Sequence, residues 1–117
     1  MRDYRNLHAW QRADRPVKEI YVATESYPRH EHYELRSQTR RSAVSIPANI
    51  AERAGRGSER EYRRFLVIAT GSATELEYEL GLGRDLGYLE LEDHERLDAD
   101  LGEVRAMLIT IARRLHR

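Results

Sequence analysis

Apolar side chains recur at three- and four-residue intervals in four separate segments of the chain, and no segment shows sustained alternation of apolar and polar positions. The first spacing places side chains on one face of an α-helix, whereas alternation is typical of a half-buried strand. The pattern therefore predicts an all-α fold. Because short connections make successive helices antiparallel neighbours, we expect an antiparallel up-and-down four-helix bundle, formed as a single domain by residues 1–117.

Prolines and an expected N-cap residue predict where the first two helices begin and bend. Asn6 is expected to cap the first helix, and Pro16 lies inside that helix, where a proline removes one backbone donor and predicts a kink. The alternative is that the helix begins nearer Arg15, where a proline is favourable. Pro28 suits the first turn of the second helix. Pro47 lies inside the second helix and is expected to let it curve around the bundle.

The third helix has the clearest predicted boundaries. Ser58 and Glu61 have the S-x-x-E spacing of a capping box, directly after Gly55 and Gly57, which are expected to end the second helix. Gly87 is expected to end the third helix. The fourth helix follows with apolar residues at alternating steps of four and three, which are typical of a bundle seam: Leu97, Leu101, Val104, Leu108, Ile111 and Leu115.

Composition narrows the class of protein. Twenty basic and twenty acidic residues cancel, so the overall charge does not indicate a nucleic acid or a membrane partner, and only the distribution of the charges is informative. The chain has no cysteine, which excludes disulfides and thiol chemistry. Neither a signal peptide nor an apolar run of about 18 residues is present, so we expect a cytoplasmic protein without a membrane partner.

Residues for catalysis or for metal binding do not form a recognisable pattern. His30 and His32 are two residues apart, a spacing that turns their rings away from each other on a helix. The glycines of "LGLGRDLG" lack the spacing of a dinucleotide-binding loop and are expected to serve helix packing. We therefore predict no catalytic residue, no metal and no cofactor, and leave an enzyme with a site between subunits as the less favoured alternative.

A stripe of small polar residues follows the second helix beside its apolar face, at steps of four, three and four. It consists of Gln38, Ser42, Ser45 and Asn49. Two interpretations stay open. The stripe either lies in a close helix contact, with Gln38 and Asn49 bonding across it, or lines a ligand groove, a pore axis or a subunit interface.

Arginines accumulate where the second helix passes to the third. In an up-and-down bundle this turn shares one end with both termini, whereas acidic residues collect at the opposite end, around Gly87. Arginines and the free amides at a helix start both bind phosphate groups, so we predict that this region contacts the backbone of a nucleic acid, either RNA or another single strand. The residues expected to form it are Arg53, Arg56, Arg60, Arg63 and Arg64. The alternative is a scaffold that docks an acidic protein partner.

The sequence also resembles a known family. The segments "LHAWQRA" (7–13), "YP..E.YELRSQTRRSAVSIPANIAE" (27–52) and "FLVIATGSATELEYEL" (65–80) are similar to the bacterial four helix bundle proteins encoded in intervening sequences of large-subunit ribosomal RNA genes. This resemblance implies a bundle that assembles into a homopentameric ring, without established enzymatic activity. The accessory variability determinant of diversity-generating retroelements is distantly similar, and implies a nucleic-acid or reverse-transcriptase-like partner as a hypothesis.

Overall fold

The fold is a bundle of four α-helices, seen in a computed structural model that describes residues 3–53 and 57–115 and leaves the Arg53 side chain undescribed. The helices are α1 (His8–Thr24), α2 (Leu35–Arg53), α3 (Glu59–Asp85) and α4 (Leu91–Leu115). Consecutive helices pack against each other, and α1 also packs against α4, which closes the bundle. The all-α, four-helix prediction is confirmed.

Short 3-10 turns replace two of the predicted helix starts. Asn6 does not cap α1, because it lies in a 3-10 turn at Tyr4–Asn6 whose first amides are satisfied by Asp3, so α1 begins only after Leu7. Pro28 precedes a second such turn, Arg29–Glu31, and not the first turn of α2. In both places a local hydrogen-bonded turn precedes the helix.

The boundaries predicted for α3 are correct. The Ser58 hydroxyl accepts a hydrogen bond from the Glu61 amide at 3.1 Å, as an N-cap does. Gly87 has a φ of 80°, the left-handed conformation that glycine adopts without a Cβ penalty, and it follows the last turn of α3. Pro16 and Pro47 both lie inside continuous helices.

The core contains the apolar faces that the periodicity predicted. Its fully buried larger side chains come from all four helices: Ile20, Ile46, Ile50, Leu66, Leu76, Leu80, Leu97, Leu101, Val104 and Leu108. Burial of these side chains provides the main stabilising contribution. Among the described helices, none is long and apolar enough to cross a membrane.

Candidate nucleic-acid interface

The first turns of α3 and the last turns of α4 lie at one end of the bundle. Arg63, from α3, and Arg113, from α4, line the same groove, and Arg114 shares a second groove with Tyr62 and His8. The start of α1, the start of α3 and the finish of α4 therefore meet, as the up-and-down topology requires. We call this the arginine end.

Three of the five predicted arginines can be described, and they form one surface on α3. We call this the arginine surface; it lies around a cleft of about 670 Å³ and consists of Arg60, Glu61, Arg63, Arg64, Val67 and Ile68. Positions 60, 63, 64, 67 and 68 repeat at three- and four-residue steps, so one helix face presents them together. Arg53 ends α2, but its side chain, and all of Arg56, fall outside the described residues.

Charges on the arginine surface are only partly neutralised. Nη1 of Arg64 lies 3.8 Å from Oε2 of Glu61, and the guanidinium of Arg64 lies 5.7 Å from the centre of the Phe65 ring. Arg60 is exposed, and no acidic side chain among the described residues lies within ion-pair distance of it. Glu59 and Arg63 are four residues apart, a spacing that allows an ion pair on a helix, but this ion pair is not formed. An excess of positive charge therefore remains beside the start of α3.

Arg63 connects the arginine surface with a groove between two helices. This α3–α4 groove has a volume of about 280 Å³ and is lined by Arg63, Val67, Thr70, Ile109, Ala112 and Arg113. Nε of Arg63 is buried and has no hydrogen-bond partner among the described residues. The groove thus combines apolar side chains with two guanidinium groups, one contributed by each helix.

The small polar stripe of α2 lies along its contact with α3. Oγ of Ser45 lies 2.8 Å from Oγ of Ser72, which joins the two helices, while Asn49 bonds back to the Ser45 carbonyl at 2.8 Å. Ser42 is buried and Gln38 is exposed. Ser45, and neither Gln38 nor Asn49, thus makes the bond across the contact. The part of the stripe around Gln38 and Ser42 opens onto a polar groove of about 830 Å³, which is also lined by Glu75.

A buried carboxyl group, which the sequence analysis missed, lies behind this stripe. Glu79 is 4% exposed, and its Oε1 has no hydrogen-bond partner among the described residues. Burial raises its pKa, as does the charge of Glu75, whereas the Ser42 hydroxyl and Arg41 act in the opposite direction. The sequence could have indicated this buried group, because residue 79 falls on the apolar face of α3 between Leu76 and Leu80.

The two histidines considered for metal binding make other contacts. Nε2 of His32 lies 3.1 Å from the Tyr27 carbonyl oxygen, and Nε2 of His30 lies 3.3 Å from the Tyr88 hydroxyl. Among the side chains that the structure describes, no three of His, Asp and Glu are grouped as metal ligands.

Known proteins share both the sequence pattern and the fold. The family model of the 23S rRNA-intervening sequence protein matches residues 5–110. A crystal structure of a protein of unknown function from Bacteroides thetaiotaomicron, of the S23 ribosomal protein family, is 26% identical. The alignment covers 90% of this chain and 95% of that chain, with a TM-score of 0.81. No curated protein matches. Because the family model spans nearly the whole sequence, this chain belongs to the 23S rRNA-intervening sequence protein family.

Proposed function

We propose that this protein is a non-catalytic helical module that binds a nucleic-acid backbone through its arginine end. The observation that carries the proposal is the convergence of Arg60, Arg63 and Arg64 with Arg113, where Glu61 is the acidic group in ion-pair contact. Phosphate groups would supply the missing negative charge, since guanidinium groups bind phosphate through two parallel hydrogen bonds.

Helix electrostatics supports a ligand at this position. The start of a helix carries a partial positive charge, so arginines are unfavourable there for stability, whereas acidic residues are favourable. Arg60 nevertheless lies in the first turn of α3, between Glu59 and Glu61, and Arg63 and Arg64 follow in the second turn. An anion beside them would interact favourably with both the side chains and the helix dipole. A role in binding would account for the placement of Arg60, which the dipole does not favour.

Assembly into a homo-oligomer is the second part of the proposal. The family resemblance implies a ring of five, and a cyclic ring would place every arginine surface on the same face, which multiplies a modest local charge. Exposed apolar residues are available for subunit contacts: Tyr21, Tyr33, Val44 and Tyr78. Light scattering at micromolar concentration is expected to give a mass well above that of one chain, and a monomer would contradict this part.

Substitution of two exposed arginines tests the binding function. We expect Arg60→Gln combined with Arg64→Gln to weaken binding of a labelled single-stranded RNA in low salt by about tenfold or more, because two phosphate contacts are lost. Arg15→Gln combined with Arg29→Gln is the matched control, since it removes the same charge from exposed arginines elsewhere. Equal weakening by both pairs, or no binding by the wild type, would contradict the proposal.

Docking of an acidic protein is the second candidate, and it is favoured by one specific observation. Val67 and Ile68 are 49% and 41% exposed beside the arginines, as in a surface that receives an amphipathic helix with acidic flanks. Pull-down from native cells distinguishes the two candidates. Docking would be favoured if a protein is recovered after nuclease treatment with the wild type but not with Arg60→Gln. Recovery of RNA that is lost on nuclease treatment would favour the nucleic-acid function.

A further inference from the structure

The α3–α4 groove offers a binding surface that phosphate contacts alone do not explain. It shares Arg63 and Val67 with the arginine surface, so the two are continuous. Its lining includes the apolar side chains of Val67, Ile109 and Ala112. A phosphate is fully hydrated and charged, and would gain nothing from contact with these side chains.

The groove is also lined by guanidinium groups. Arg63 lines it, and the buried Nε of this residue has no partner among the described residues, so its guanidinium is incompletely hydrogen-bonded. Arg113 contributes a second guanidinium from the other helix. Planar guanidinium groups stack on nucleobases and donate to base oxygens and ring nitrogens. Apolar contacts and guanidinium donors are thus both available.

We propose that the α3–α4 groove receives an unpaired base of a strand whose phosphates lie on the arginine surface. This inference rests on the proposed nucleic-acid function and narrows its substrate class to single strands and loops. In a duplex the faces of the bases are covered by their stacked neighbours, so a duplex could contact the arginines but could not cover Val67 and Ile109. An unstacked base can cover both.

Three probes of equal length separate base contacts from phosphate contacts. They are a single-stranded RNA, an abasic strand with the same phosphates, and an RNA duplex. We expect the wild type to bind the single strand about tenfold more tightly than the abasic strand, because contact with one base contributes on this order. Ile109→Ser, at a residue that lines the α3–α4 groove and not the arginine surface, is expected to reduce this preference severalfold without changing binding of the abasic strand. Arg113→Gln is a second variant, which should also reduce the preference but should weaken binding of the abasic strand as well, because Arg113 belongs to the arginine end that contacts phosphates.

Val22→Ser is the matched control, because Val22 is 77% exposed on α1, away from the groove. Thermal denaturation of every variant verifies that it is folded. Equal binding of all three probes by the wild type would overturn the base site and leave the proposed backbone contact standing. Absence of binding to every probe would instead overturn the proposed function and the base site together. Binding of an acidic helical peptide that depends on Val67, without binding of any RNA probe, would assign the groove to a protein partner and overturn the inference.

Discussion

The two ends of the bundle use their polar groups differently. At the turn end, where residues 25–34 and 86–90 connect the helices, Arg84 pairs with Asp85 at 2.8 Å, and the Tyr88 hydroxyl donates to Glu31 at 3.2 Å. At the arginine end, Arg60 has no ionic partner among the described residues, and Arg63 has a buried Nε without an acceptor. The buried Tyr27 hydroxyl at the turn end also has no partner among the described residues, so the ends differ in their charged groups: Arg84 at the turn end is paired, whereas Arg60 at the arginine end is left for a ligand.

The turn end also shows how close packing specifies a connection. The ring of Tyr27, within the α1–α2 connection, packs on Gly83, at a site where any side chain would overlap the tyrosine hydroxyl. Burial raises the pKa of Tyr27 to about 12. The Tyr27 and Tyr88 rings lie 5.5 Å apart, so the two connections pack on each other. Substitutions here should therefore change stability, and those at the arginine end should change binding.

The largest effect on stability is expected from Gly83→Ala. An added Cβ would overlap Oη of Tyr27 and lie 3.1 Å from its Cζ, and overpacking of this kind lowers the free energy of unfolding by about 2 kcal/mol. Urea denaturation measures the change. Tyr27→Phe in the same chain should restore part of the loss, because it removes the overlapping oxygen.

Gly81→Ala is the matched control in the same helix. The nearest atom to its added Cβ is Nη2 of Arg84, at 4.0 Å. We expect this substitution to raise the free energy of unfolding by about 1 kcal/mol, through the higher helix propensity of alanine. If both alanine variants were equally stable, the contact between Gly83 and Tyr27 would not have the role given to it here.

Arg40→Gln and Arg60→Gln compare the two ends directly. Arg40 donates to Oγ1 of Thr24 and to the Tyr21 carbonyl, both at 2.9 Å, so it fastens α2 to the last turns of α1. Its loss should lower the free energy of unfolding by about 1–1.5 kcal/mol, whereas loss of Arg60 should change it by less than about 0.5 kcal/mol. Denaturation of both variants measures the difference, and equal losses would contradict the contrast.

The contribution of Arg40 is expected to depend on pH. A hydrogen bond from Arg40 to Glu25, at 3.0 Å, holds the pKa of Glu25 below its ordinary value of 4.5. A lowered pKa means that this part of the stability is present above pH 4.5 and is lost as the pH falls through the lowered pKa. The difference between wild type and Arg40→Gln should therefore shrink in acid. A difference that stayed constant would exclude a contribution from this pair.

A smaller and opposite effect is expected from Glu79→Gln. Burial raises the pKa of Glu79 above 4.5, so its stabilising contribution is present below pH 4.5 and is lost as the pH rises through the raised pKa. Glutamine does not ionise, so the variant should match the wild type in acid and exceed its stability at neutral pH. Glu95→Gln, at an exposed position, is the control and should show no such trend. A destabilised Glu79→Gln at neutral pH would show that the carboxylate is needed.

The correctly predicted ends of α3 depend on sequence signals that act within a few residues. The ends of α3 follow from Ser58 and Gly87, because a cap and a left-handed glycine act within a few residues. The predicted starts at Asn6 and Pro28 were wrong, since 3-10 turns compete with the first helical turn and depend on equally short sequence signals. Packing against the rest of the bundle decides between the two, and the sequence of one segment carries no information about that packing.

The site was predictable only in part. The gathering of Arg60, Arg63 and Arg64 follows from helical spacing, and their meeting with Arg113 follows from the antiparallel topology. The α3–α4 groove could not be predicted, because it depends on the axial register between two helices, which sets Ile109 opposite Val67. The bond between Ser45 and Ser72 depends on a similar register between α2 and α3.

The salt dependence of RNA binding tests the central claim, that the arginine end binds a nucleic-acid backbone. Single-strand affinity falls with salt by a logarithmic slope of about −0.7 for each phosphate contact, so at least three arginine contacts predict a slope of about −2 or steeper. The combined Arg60→Gln and Arg64→Gln variant should show a slope shallower by about 1.4. A slope near zero in the wild type, or identical slopes in wild type and variant, would contradict the account.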